Sequence, residues 1–294
     1  MNKVIVIVGP TGVGKTKLSI KLAQKLNGEI INADSTQIYK NLNIATAKIK
    51  ENEKENIPHH LIDIKNISEN YTVYDYQKDA RKCIKEIFSI NKTPILVGGT
   101  GLYIKACLYD YNFEKETIIN NYDGISNEEL YNKLIKIDPS TDIHKNNRKR
   151  VERALNYYEQ TGNIPSLKEK TDKILYDTII IGLKADRDIL YDNINKRVDK
   201  MFEEGLLEEA YKIYKSNIRT KAVMTPIGYK ELFEYFENKK TLEQCIELIK
   251  KNSRHYAKRQ YTWFNNQMNV RWFDTNFENF DKTVSEVLKY IKNI

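Results

Sequence analysis

A glycine-rich segment near the N-terminus carries the residues most clearly suited to chemistry. Residues 9–16 read GPTGVGKT and match the pattern G-x-x-x-x-G-K-[ST] in full. The glycines let successive backbone amides converge on one anion, while Lys15 adds a full positive charge and Thr16 can hold magnesium through its hydroxyl. The segment therefore predicts a phosphate-binding loop formed by Gly9, Pro10, Thr11, Gly12, Val13, Gly14, Lys15 and Thr16.

Two further polar segments are candidates for the same site. Asp34 follows an apolar run, and a carboxylate placed there can take a proton or order metal-bound water, although an Asp or Ser there could instead only cap a helix. The segment GGTG at 98–101 follows another apolar run and predicts a tight turn. Its amides and the Thr100 hydroxyl can stabilise a developing negative charge; a merely flexible turn is the alternative.

The elements around these segments alternate between strand and helix. Residues 4–8 are a β-branched run followed by Gly9 and Pro10, which predicts the central strand of a parallel sheet, buried on both faces. Further strands are predicted at 29–33, 94–97, 178–183 and 270–273, with helices at 17–26, near 74–90, at 127–137 and over much of 189–263. This order predicts an α/β fold: a P-loop NTPase-like parallel sheet sandwiched by helices, with helical insertions. Ligands collect at the carboxyl ends of the strands in such sheets.

The domain boundaries follow from the amount of helix between the strands. We expect a P-loop core made of residues 1–112, 145–190 and 251–294, and helical insertions at 113–144 and 191–250.

Basic residues exceed acidic ones by 48 to 40, for a formal net charge of +8. The excess attracts polyanions such as RNA if it is clustered, whereas evenly solvated charges would imply no partner. Two clusters stand out, the second of them followed by aromatic residues, as is common in RNA-binding proteins; solvated helix faces are the alternative for both. They contain Lys145, Arg148, Lys149, Arg150 and Arg153, and Lys250, Lys251, Arg254, Lys258 and Arg259.

Several classes of protein are disfavoured. The three cysteines have no paired spacing, so we expect neither a disulfide framework nor a zinc ribbon, and a reducing cytoplasm fits best. No apolar stretch approaches the roughly 20 residues that span a bilayer, so secretion and membrane insertion are not expected. His59 and His60 lack partners at metal-ligand spacing, and a structural or substrate-shaping role is favoured over zinc.

Together the segments resemble the bacterial tRNA dimethylallyltransferase family, also called isopentenylpyrophosphate transferases. The resemblance runs in order through nearly the whole chain, although residues 109–126 match poorly. It is carried by GPTGVGKT at 9–16, NADSTQIYK at 32–40, PHHLIDI at 58–64, VGGTGLYIKA at 97–106, RVERALNYYEQTG at 150–162, IGYKEL at 227–232 and AKRQYTWF at 257–264.

The resemblance implies a reaction and a role for each matching residue. The loop would hold the diphosphate of dimethylallyl diphosphate, with Lys15 and Thr16 on its oxygens and on Mg²⁺. Asp34 would be the general base at N6 of adenine 37 in the tRNA anticodon loop, giving N6-dimethylallyladenosine and diphosphate. Thr100 would contact the reacting groups, and Arg254, in the site region, would bind the diphosphate. The implied contacts to the anticodon stem-loop are Asp34, Ser35, Thr36, Gln37, Thr100, Lys149, Arg150, Val151, Glu152 and Arg153. We expect a monomer.

Three other functions use the same residues. A small-molecule P-loop kinase would need a carboxylate-rich metal site, yet the strand at 94–97 is followed by Gly98 and Gly99. Prenyl transfer to free adenine nucleotides would not need the basic insertions. A non-catalytic RNA-binding protein would leave Asp34 and Thr100 without a role.

Overall fold

One parallel sheet forms the centre of the chain. A computed structural model describes residues 3–110, 120–167 and 173–294, and in these ranges six strands pair in the order β3-β2-β4-β1-β5-β6, all parallel. β1 lies between β4 and β5, so the prediction of a central first strand is confirmed. The strands are β1 (Val4–Val8), β2 (Gly28–Asn32), β3 (His59–His60), β4 (Thr93–Val97), β5 (Thr178–Lys184) and β6 (Arg271–Asp274).

Helices cover both faces of this sheet, which confirms the predicted α/β fold. Side chains alternate between the faces of a strand, and in β1 Val4, Val6 and Val8 enter one apolar cluster while Ile5 and Ile7 enter another. The helices are α1 (Lys15–Leu26), α2 (Val73–Ser89), α3 (Gly101–Leu108), α4 (Asn127–Ile137), α5 (Arg148–Thr161), α6 (Arg187–Glu203), α7 (Leu206–Lys215), α8 (Lys221–Met224), α9 (Tyr229–Phe236), α10 (Leu242–Gln267) and α11 (Phe280–Lys292). Each helix in the described ranges is too short or too polar to span a bilayer.

The histidine pair forms β3, a two-residue edge strand that is too short for its sequence to predict. His60 Nε2 lies 2.7 Å from Glu29 Oε2, and Lys92 Nζ lies 2.7 Å from the other oxygen of that carboxylate. Burial raises the pKa of Glu29, but the hydrogen bonds from Lys92 and His60 outweigh it and hold this pKa below its usual value. His59 Nδ1 contacts the Ile57 carbonyl oxygen at 2.8 Å. Both side chains therefore serve the structure of the sheet edge.

The chain divides into two compact units, residues 1–109 with 174–294, and residues 110–173. This division differs from the expected boundaries. Residues 145–173 fall in the second unit, because α5 buries Val151 and Leu155 with Leu130 and Leu134 of α4. Residues 191–250 fall in the first unit, and the expected boundary at 112–113 lies outside the described residues. An antiparallel bridge joins Tyr109 to Ile174. These are the residues of the larger unit that lie on either side of the insertion.

Candidate active site

The phosphate-binding loop lies between β1 and α1, as predicted. Gly9 has φ 139° and Gly14 has φ 96°, values that side-chain-bearing residues rarely adopt. A Cβ on Gly9 would lie 2.5 Å from the Leu183 carbonyl oxygen, so this backbone requires glycine. Lys15 folds back over the loop, and its Nζ donates to the carbonyl oxygens of Gly9 and Pro10 at 2.9 and 2.8 Å. The loop thus has the form of an anion cradle.

The charge at this loop is unbalanced toward positive. Burial and then the nearby Arg197 guanidinium lower the pKa of Lys15 to about 7, while the Asp34 carboxylate opposes the change. Two cations close together in a desolvated place repel one another unless an anion lies between them. The electrostatics therefore favour a strongly anionic ligand at the loop.

Arg197 is a site residue that the sequence analysis missed. It lies on α6, and its Nη1 donates to Thr11 Oγ1 at 3.0 Å. Burial lowers the pKa of its guanidinium, and the charge of Asp34 acts in the opposite direction. The helix period held a usable signal, because Arg197 follows the buried Leu190 by seven residues and so lies on the same helix face.

Asp34 lies just beyond the carboxyl end of β2, and its charge acts on both Lys15 and Arg197. The backbone N and the hydroxyl of Thr36 donate to Asp34 Oδ1 at 2.9 and 2.6 Å, and these bonds fix the orientation of the carboxylate. The chain beyond Asp34 continues in turns, so the helix-capping alternative fails. The structure brings this carboxylate to the phosphate loop.

The turn at 98–101 is held against the Asp34 segment. Thr100 Oγ1 accepts from the Ser35 backbone N at 3.0 Å and donates to Ser35 Oγ at 3.2 Å. A Cβ on Gly98 would lie 2.2 Å from the backbone of Ala33, so the two segments touch. These contacts are inconsistent with a merely flexible turn, and they place Thr100 beside the candidate base.

Helix α10 forms a third wall of the site. Gln260 Oε1 accepts from the Thr11 backbone N at 2.9 Å, and Gln260 Nε2 donates to the Gly99 carbonyl oxygen at 3.1 Å. Gln260 begins the aromatic segment that follows the second basic cluster, yet it is 5% exposed and lies between the loop and the turn. Arg254 Nη1 donates to Asn195 Oδ1 at 2.6 Å, and this hydrogen bond joins α10 to α6.

The segment after Asp34 is held by a carboxylate on α7. Glu209 accepts from the backbone N of Asn43 at 3.0 Å, of Ile44 at 3.0 and 3.1 Å, and of Ala45 at 3.3 Å. The Tyr229 hydroxyl donates to the same carboxylate at 2.8 Å. These bonds anchor the segment whose first residues include the predicted RNA contacts.

Gln37 belongs to that segment, and its position is set locally. Its Nε2 donates to the carbonyl oxygens of Thr46 and Ala47 at 3.1 and 3.4 Å. The predicted contacts Asp34, Ser35, Thr36 and Gln37 are therefore held by hydrogen bonds of their own segment and of the turn.

The basic run on α5 lies in the second unit, and its members differ in burial and in partners. Arg148 donates to the carbonyl oxygens of Ile125 and Tyr122 at 2.6 and 2.7 Å and pairs with Glu152, so it holds that unit together. Val151 is 1% exposed and belongs to the unit's core, which leaves its side chain unavailable for the expected RNA contact. The exposed cations of this run are Lys149, Arg150 and Arg153, and Arg150 pairs with Asp142 at 3.5 Å.

Related sequences point to one family. The IPP transferase family model matches residues 37–267. A tRNA dimethylallyltransferase of Anoxybacillus flavithermus is 49% identical over 300 residues, which cover 99% of this chain and 96% of that protein. A tRNA dimethylallyltransferase of Halalkalibacterium halodurans is 46% identical over 306 residues, with coverage of 99% and 96%. The predicted family resemblance is confirmed.

Solved structures agree with the sequences. The full-length tRNA isopentenylpyrophosphate transferase of Bacillus halodurans matches with a TM-score of 0.79 and 44% identity, covering 100% of this chain and 96% of that one. A eukaryotic dimethylallyltransferase acting on tRNA matches with a TM-score of 0.87 and 33% identity, covering 100% of this chain and 79% of that one.

Proposed function

The chain belongs to the IPP transferase family and transfers a dimethylallyl group to tRNA, and we propose that the acceptor is N6 of adenine 37 in the anticodon loop. The observation that carries this proposal is the meeting of three groups. The phosphate loop with Lys15, the Asp34 carboxylate and the Thr100 turn follow the carboxyl ends of neighbouring strands, and the half-buried Arg197 of α6 contacts the loop. One half of this site suits a diphosphate, and the other suits an amine that must lose a proton.

The loop side binds the donor, dimethylallyl diphosphate. Its backbone amides, the N-terminus of α1, Lys15 and Arg197 attract the diphosphate and stabilise the charge that grows on it as the allylic carbon–oxygen bond breaks. The electron pair of that bond leaves with the diphosphate. Because Lys15 and Arg197 are half-buried, their attraction to the leaving group is stronger than it would be in water.

The Asp34 side activates the acceptor. The adenine amine is weakly nucleophilic because its lone pair is delocalised into the ring, so a proton acceptor at N6 lowers the barrier. As the bond from N6 to the allylic carbon forms, one N6 proton passes to the Asp34 carboxylate. Thr36 fixes the direction of this carboxylate, and Thr100 holds the neighbouring Ser35.

The residues fit a Mg²⁺ ion that binds together with the diphosphate. Within the described ranges, no group of three or more His, Cys, Asp or Glu side chains could hold a metal. The exposed Thr16 at the start of α1 offers a hydroxyl, and Mg²⁺ is commonly bound by few protein ligands plus substrate phosphates and water. When bound, the ion would neutralise charge on the leaving diphosphate.

We propose the tRNA anticodon stem-loop as the macromolecular partner of a monomeric, cytoplasmic enzyme. The formal net charge of +8 and the exposed cations of α5 support binding to the RNA backbone. A base within a loop must turn outward to reach a pocket, and Asp34 to Gln37 would contact it there.

The test is an incubation of the purified protein with dimethylallyl diphosphate, Mg²⁺ and unmodified tRNA, followed by mass analysis of the nucleosides. N6-dimethylallyladenosine should appear, and sequencing of the modified fragment should place it next to the anticodon. Prenylation of free adenosine monophosphate but not of tRNA would contradict the acceptor. ATP-dependent phosphorylation of a small molecule would favour the kinase alternative.

A further inference from the structure

Gln260 joins the two halves of the candidate site. One end of its amide accepts from the Thr11 backbone N of the phosphate loop at 2.9 Å, and the other donates to the Gly99 carbonyl oxygen at 3.1 Å. These partners follow different strands, β1 and β4, and Gln260 itself lies on α10. One neutral, buried side chain therefore spans the gap between the donor loop and the acceptor turn.

The contact between the turn and α10 leaves little free space. A Cβ on Gly99 would lie 2.0 Å from Gln260 Nε2, and a Cβ on Gly101 would lie 2.1 Å from the Trp263 ring. The hydroxyl of Tyr256, one helical turn before Gln260, lies on the same side of the helix, 3.9 Å from where a Cβ on Gly99 would be. The turn is therefore seated on this face of the helix, with the Gln260 amide as its link to the loop.

The same contacts continue to the candidate base. Thr100 follows Gly99 directly and bonds Ser35, which follows Asp34. Gln260, the turn and Ser35 therefore together set the position of the Asp34 carboxylate relative to the loop. Since reacting atoms must approach to about 3–3.5 Å, a displacement of about 1 Å can cost about a hundredfold in rate.

We propose that Gln260 is a positioning residue that sets the distance between the bound allylic diphosphate and the base-bearing acceptor segment. The inference rests on the proposed function and adds to it a residue that touches neither substrate. Its amide length is the relevant property, because both hydrogen bonds must be made at once.

Loss of this spacing should change the product as well as the rate. The loop would still bind the diphosphate, but the allylic carbon would no longer face the adenine amine. Water can then take its place: the carbon–oxygen bond to the diphosphate breaks, a carbon–oxygen bond to water forms, and the proton goes to solvent. The products are dimethylallyl alcohol and diphosphate, so the alcohol reports the failed alignment.

The test uses Gln260→Asn, which keeps a neutral amide but shortens it by one methylene, so that both partners cannot be reached. Its matched control is Gln267→Asn, the same change at an exposed position at the end of α10. We expect Gln260→Asn to lower kcat by about tenfold or more, with KM for dimethylallyl diphosphate within about twofold of wild type and a larger ratio of alcohol to prenylated tRNA. The control should match wild type.

Gln260→Met, which fills similar space without hydrogen bonds, should show the same shift in product ratio if its thermal unfolding shows a folded protein. A lower unfolding temperature in both variants, with wild-type kcat and product ratio, would overturn the proposal in favour of a purely structural role. Wild-type enzyme that makes no prenylated tRNA would instead contradict the proposed function itself.

Discussion

The Arg197 guanidinium donates to the Thr11 hydroxyl at 3.0 Å, which places a cation from α6 on the phosphate loop. We expect Arg197→Gln to raise KM for dimethylallyl diphosphate and to lower kcat/KM by about one to two orders of magnitude, because a charge-assisted contact contributes about 1.5–3 kcal/mol. Steady-state kinetics measures this. Lys196→Gln is the matched control, since Lys196 is the exposed neighbour and pairs with Asp192 at 2.7 Å. Equal kinetics in the two variants would remove Arg197 from the site.

Lys15 should couple donor binding to proton uptake. Its pKa is about 7 in the free protein, and a bound diphosphate favours the ammonium form and raises that pKa. Above pH 7 the free enzyme must therefore take up a proton to bind the donor, and affinity should fall by up to about tenfold per pH unit. Below pH 7 the lysine is already charged and the effect disappears.

Calorimetric titration at pH 8, in two buffers of different ionisation enthalpy, measures this uptake. Lys15→Met, titrated in the same way, provides the contribution of the ligand's own ionisation. The wild-type protein should take up additional protons relative to this variant, approaching one per donor. Identical proton uptake by the two proteins would show that Lys15 is charged before binding.

Asp34→Asn should separate chemistry from donor binding. The amide keeps an acceptor for Thr36 but cannot take the N6 proton, so kcat should fall about a hundredfold or more. Donor affinity should hold or improve, because a negative charge near the diphosphate is removed. Single-turnover rates and equilibrium binding measure the two effects separately. A fully active Asp34→Asn or Asp34→Ala enzyme would exclude this carboxylate as the base.

Glu209→Gln should weaken tRNA use more than donor use. The Glu209 carboxylate accepts hydrogen bonds from three successive backbone amides at 43–45, and the substitution removes its negative charge. The weaker hydrogen bonds should loosen the segment that begins with the predicted RNA contacts. We expect KM for tRNA to rise by about tenfold, as a few weakened hydrogen bonds to a charged group predict, with KM for dimethylallyl diphosphate unchanged. Glu208→Gln, at an exposed position on the same helix, is the control. A parallel rise in both KM values would indicate general destabilisation.

Adjacent cations of α5 should give different phenotypes. Lys149 is exposed. In a plot of log tRNA affinity against log salt concentration, Lys149→Gln should make the slope shallower by about one or less, because one phosphate contact is lost. Arg148→Gln should instead lower the unfolding temperature, because it removes bonds to Ile125 and Tyr122. Filter binding over a salt series and thermal unfolding measure these effects. An unchanged salt slope in Lys149→Gln would place the RNA elsewhere.

The parts of the site that are contiguous in sequence could be predicted, and those assembled by packing could not. The phosphate loop lies within eight residues, and Asp34 and Thr100 each follow a recognisable strand, so sheet topology alone brings them together. Arg197 and Gln260 come from long helices. The helical period places Arg197 on the buried face of α6, but no local pattern specifies that the α6 and α10 faces pack against the phosphate loop, and this packing gives both residues a role.

The domain boundary illustrates a similar limit. The expected core includes the basic helix α5, whereas the structure places α5 in the smaller unit. Its apolar residues Val151 and Leu155 cannot reveal whether they pack on the sheet or on α4, because either surface would bury them equally.

The bridge between Tyr109 and Ile174 makes the smaller unit an inserted module. The larger unit holds both ends of the insertion side by side, so the entropy of closing that loop changes only slowly with the number of residues between them. Segments of quite different length and sequence could be exchanged at this stem while β5 stays in register with β1. If α5 binds RNA as proposed, the insertion can change its basic surface in length and sequence while the strand ends that carry the proposed chemistry stay in place.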